Sequence, residues 1–137
     1  MNIQKSAKEL RQQNEYLVSL KKEDITFIIK SCIYELESHK YFNEEDLNKL
    51  NKVILSNEPY NNLYFKYNKE RLNTKGVIFL EENNDLTFII SVFYYFKNRI
   101  PLIIVLSSEK QIKFFDIFKN LLKDNEISDN FIIKIDE

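Results

Sequence analysis

A chain of 137 residues, 44% hydrophobic and 14% aromatic, is long enough to bury one core and too apolar to stay disordered. Its 20 basic and 21 acidic residues leave a net charge of −1, which argues against a nucleic-acid partner, because phosphate neutralisation needs a clustered positive excess. The lone Cys32 has no partner for an intramolecular disulfide and fits a reducing, cytoplasmic compartment.

Met1 to Ser6 shows no apolar core of a signal peptide. Lys97, Asn98, Arg99 and Pro101 interrupt the most apolar stretch, Leu86 to Leu106, so no membrane span is expected. Asn, Ile, Lys, Phe and Tyr dominate, while Gly76 and Ala7 are each alone of their kind. That is the composition of an A/T-rich genome, or of a mobile gene. No repeat, low-complexity linker or long charge run divides the chain, so a single domain over 1–137 is expected, with a mainly helical half (1–75) and a βαβαβ half (76–137).

Residues 4–18 suggest a weakly amphipathic helix carrying Leu10, Leu17 and Val18. Ile25, Ile28, Ile29, Cys32, Ile33 and Leu36 then recur at helical spacing, with Glu23 and Asp24 in the first turn and His39 and Lys40 at the end, as the helix dipole prefers. Asn43 reads as the N-cap of a third helix that buries Leu47, Leu50, Val53 and Ile54. Pro59 can open a further helix with Tyr60, Leu63, Tyr64 and Tyr67 on one face and Gly76 at its end; a strand with Leu63, Phe65 and Tyr67 alternating is the alternative.

Val77 to Leu80 predicts a strand. Leu86 to Phe96 is apolar almost all round, and the Asn84-Asp85 start and Lys97-Asn98-Arg99 end favour a helix over a strand. Leu102 to Leu106 suits a strand covered on both faces. Ser108 and Gln111 have the spacing of a capping box for a helix with Ile112, Phe115, Phe118 and Leu122 on one face. Phe131 to Ile135 is the last strand, with Lys134 suggesting an edge. Right-handed crossovers make the strands parallel with 102–106 in the middle. The expected fold is therefore α/β: a three-stranded, mainly parallel sheet packed against an N-terminal helical segment, as three layers, α/β/α.

Little catalytic machinery is present. One His and one Cys cannot make a His/Cys metal cluster, and one Gly allows neither a Rossmann fingerprint nor a P-loop. Cys32 reads as a buried, inert thiol and His39 as a surface residue with Glu35 one turn back. No catalytic residue, cofactor or metal ligand is assigned. The ends of the three strands carry Glu81 and Glu82, then Ser107 and Ser108, then Asp136 and Glu137, where an open parallel sheet binds its ligands. Carboxylates converging there would suit magnesium; ordinary solvated loops and a helix cap account for them as well.

Tyr60, Tyr64 and Tyr67 form the second feature. They suit packing on the core, a protein interface, or, with Lys66, Lys69 and Arg71, stacking on single strands. Acidic Glu44-Glu45-Asp46 and Glu81, Glu82 and Asp85 would attract a basic partner. These features point to a non-catalytic bacterial or phage protein that masks another protein, of the immunity-protein, antitoxin or anti-defence kind. Its expected contact residues are Tyr60, Tyr64, Tyr67, Glu81, Glu82 and Asp85, and its partner a toxin or defence effector. The alternatives are a small regulatory or magnesium-dependent domain using the strand-end acids, and a subunit of a larger assembly.

Overall fold

The computed structural model describes residues 9–55 and 77–135. In chain order its elements are α1 (Asn14–Ser19), α2 (Lys22–Ser38), α3 (Glu44–Leu55), β1 (Ile78–Glu81), α4 (Asp85–Lys97), β2 (Leu102–Val105), α5 (Glu109–Asp124) and β3 (Ile132–Lys134). The strands lie in the order β1-β2-β3, all parallel, with Ile78 opposite Leu102 and Leu102 opposite Ile132. The βαβαβ half thus takes its expected form, with the all-aliphatic β2 in the centre. The stretch 86–96 is helical: Asn84 caps it by accepting from the Thr87 N–H at 2.9 Å. Pro59, Gly76 and the proposed helix of Tyr60 to Tyr67 lie outside the described residues.

Alternation along the strands gives the sheet two apolar faces. Ile78, Leu80, Leu102, Ile104 and Ile132 share one core with buried residues of α2, α3, α4 and α5. Phe96 stacks on Phe131 and meets Phe118 edge-on, each at 5.3 Å between ring centres. The almost uniform apolarity of α4 has a physical reason here, since it shares one core with the sheet while α2, α3 and α5 all pack on it, and α2 also packs on α5. The second face, Val77, Ile103, Val105 and Ile135, gathers Leu10. Among the described residues Leu10 is the member of that cluster that comes from the N-terminal half.

Leu10 joins the second face and Leu17 the first, so the N-terminal segment passes round the sheet margin. The Ser128 N–H donates to the Tyr16 hydroxyl at 2.8 Å and fixes that passage beside the loop into β3. On α3, Asn43 accepts from the Asp46 N–H at 2.8 Å as an N-cap, and Leu50 is buried, while the side chains of Val53 and Ile54 lie outside the described residues. On α5 the buried face is Gln111, Phe114, Phe115, Phe118 and Leu122, so Ile112 turns outward, against expectation.

In place of glycine, three helices are closed by Lys40, Arg99 and Glu126 at φ of 59°, 62° and 59°. After α4 the Ile100 N–H returns to Tyr95 O, and after α5 the Ile127 N–H returns to Leu122 O, both at 2.9 Å. These are the longer bonds of a Schellman closure, here made around side chains that disfavour the left-handed region.

Candidate functional site at the carboxyl ends of the strands

The loop after β1 and the loop after β2 come together through Gln111. Its side-chain amide donates to Glu82 O at 2.7 Å and lies 3.3 Å from Asp85 Oδ1, while its Oε1 accepts from the Ser107 N–H at 2.9 Å. Ser108 Oγ accepts from the Gln111 N–H at 3.1 Å and donates to Asp85 Oδ1 at 2.6 Å. The capping box is therefore half as expected: serine caps the helix, but the glutamine reaches back to Ser107 and not to the N-cap amide. Gln111 is buried because every direction in which it points meets a partner.

The strand-end acids separate into different surroundings. Asp85 is tied to Ser108 and Gln111; the Glu82 carboxylate accepts from the Asn84 N–H at 3.1 Å; and Glu81 is exposed at the end of β1. Among the described residues no group of three or more His, Cys, Asp or Glu side chains is placed to hold a metal ion. Asp136 and Glu137 lie outside the described residues, as do Tyr60, Tyr64 and Tyr67. An open groove of about 400 Å³ runs along this rim, lined by Glu81, Asn83, Ser107, Ile112 and Lys134 among others.

The Cys32 thiol is not set up for nucleophilic work. Burial, and the Glu35 carboxylate nearby, push the Cys32 thiol far above its ordinary range, so it stays protonated. His39 is exposed just beyond α2 and stacks on Tyr41 at 5.4 Å between ring centres.

Two residues not singled out from the sequence stand out in the structure. Phe27 and Tyr34 lie two turns apart on α2, on the side opposite the buried stripe, and are 55% and 70% exposed. The signal was legible: both are aromatic positions on the otherwise polar face of an amphipathic helix. Among the described residues no helix is long and apolar enough to cross a membrane. Comparison of the chain with protein-family models, curated protein sequences and solved structures gave no match.

Proposed function

We propose that the chain is a non-catalytic, cytoplasmic protein-binding domain that acts by masking a partner, of the immunity-protein, antitoxin or anti-defence kind. The observation that carries this reading is the outward side of α2, where Phe27 and Tyr34 leave aromatic surface in water without serving the core. Exposed aromatics of this sort are common anchors of protein interfaces. Glu23 and Glu37 are exposed on the same side, with Lys30 between them, and Glu44 and Glu45 are exposed at the start of α3, which packs on α2. The partner surface inferred is therefore basic, such that attraction between unlike charges speeds its encounter. Glu81 is exposed at the end of β1, and Asp85 is bonded to Ser108.

The experiment is to purify the chain with its native partner and measure the dissociation constant of that complex. Changing Phe27 and Tyr34 to serine should weaken it about tenfold or more per residue. Unchanged affinity in those variants and in the triple alanine variant of Tyr60, Tyr64 and Tyr67 overturns both contact surfaces. The three-layer arrangement belongs to the same proposal. It is supported by the burial of Val77, Ile103, Val105 and Ile135 on the second face, where Leu10 of the N-terminal half packs with them.

A further inference from the structure

At the amino ends of the strands, away from the Asp85–Ser108 contact, several cations are drawn together. Arg99 follows α4 in the left-handed conformation, and its guanidinium turns back on the chain between α1 and α2. Its Nη2 donates to Leu20 O at 3.0 Å, and Nη1 lies 3.5 Å from Lys97 O. Both acceptors are neutral carbonyls. Arg99 makes no ion pair with a described residue, and its Nε is buried without a hydrogen-bond partner. A half-buried guanidinium with an orphaned donor is an arrangement that folded proteins rarely leave without compensation.

Its neighbours add to the same charge. The bond to Leu20 O sets Arg99 against the chain immediately before Lys21 and Lys22, and the contact with Lys97 O brings in the end of α4. Burial, and the closeness of Lys22, depress the pKa of Lys97. Lys21 is also the N-cap of α2 and makes no capping bond through its side chain, so the opening turn of that helix presents amides that no side chain satisfies. Opposing acids are present but do not close on the group: Glu23 and Asp24 are exposed in the first turn of α2, and neither pairs with Arg99 or Lys22.

We propose that Arg99 and Lys22, with Lys21 and Lys97 around them, form a binding site for a phosphate group, free or carried by a small metabolite. Tetrahedral oxyanions fit the case because a guanidinium fork and a lysine ammonium together match several oxygens of one phosphate. The orphaned Nε is a further donor of the same guanidinium that lacks an acceptor. This site adjoins the partner-masking side of α2 at that helix's first turn and uses neither Phe27 nor Tyr34.

The test is calorimetric titration of the chain with inorganic phosphate against chloride at matched ionic strength. Saturable binding to the wild-type chain is expected, weakened about tenfold in Lys22→Gln. Lys22 is exposed, so this variant folds whether or not the site exists. Arg99→Lys, which keeps the charge and loses the fork, should weaken binding too, whereas Lys113→Gln, exposed on α5, should leave it unchanged. A parallel titration with a nucleoside monophosphate and a sugar phosphate identifies the source: tighter binding of either names a metabolite, and equal binding names the free ion. No saturable phosphate binding, or equal binding by wild type and Lys22→Gln, overturns the proposal.

Discussion

Asp85 and Ser108 meet at 2.6 Å across the carboxyl end of the sheet, so the first residue of α4 holds the N-cap of α5. One hydroxyl thereby serves twice, accepting from the Gln111 amide while donating to a carboxylate. Ser108→Ala should cost about 1–2 kcal/mol, the usual range for loss of a serine cap. With Asp85→Ala it should form a non-additive pair, coupled by at least about 0.5 kcal/mol. Urea unfolding of the two single variants and the double variant measures that coupling, and strict additivity refutes it.

Gln111 should be less replaceable than its solvent-seeking side chain suggests. Gln111→Met keeps the length but leaves the Ser107 N–H without its partner and Glu82 O with the Ser107 hydroxyl alone in place of two donors. A loss of about 2–3 kcal/mol is expected. Gln111→Glu should also destabilise, since the new carboxylate has no proton to give to Glu82 O and stands against Asp85. The urea midpoint of each variant decides the matter.

The left-handed closures offer gains in stability. Lys40→Gly and Glu126→Gly replace residues at φ of 59° with one that meets no Cβ conflict there. Each should stabilise by about 1 kcal/mol, and the two should add, since they close different helices. Thermal melting of the single and double variants checks this; a fall in melting temperature would count against it.

Much of the architecture was legible because it rests on local rules. The apolar residues from Ile25 to Leu36 fell on one helical face, Asn43, Asn84 and Ser108 each accept a capping bond, and Leu102 to Val105 is buried on both sides as an unbroken aliphatic run demands. What was not legible was set by pairing at a distance. The apolar periodicity of α5 admitted Ile112 to the core, but Gln111 takes that turn because loops from two strands converge on its amide. Phe27 and Tyr34 are different: their aromatic side chains on the polar face of α2 are visible in the sequence, and the helical stripe Ile25 to Leu36 already places them outward. For the strand-end acids the sequence showed their number but not that Asp85 is already engaged by Ser108.

Cys32 should leave a mark on the alkaline side of the stability profile. An unfolded thiol loses its proton near pH about 8.5, whereas burial keeps the native thiol protonated well beyond that. Below that pH its contribution is fully present. Above it the unfolded chain gives up a proton that the native chain retains, so stability falls as pH rises, by up to about 1.4 kcal/mol per pH unit. The difference in urea midpoint between wild type and Cys32→Ala, followed from pH 7.5 to 10, isolates this from other titrations; a pH-independent difference refutes it.

The enclosure of α4 has a kinetic counterpart. Phe88, Ile89, Ile90, Ser91, Val92, Phe93, Tyr95 and Phe96 are buried around most of its circumference, in a core shared with the sheet, α2, α3 and α5. No subset of neighbours can move off and leave this helix sheltered, because each side it exposes is hydrophobic. Its amide protons should therefore trade with deuterium only when the whole domain opens, at a rate that reports the global unfolding free energy.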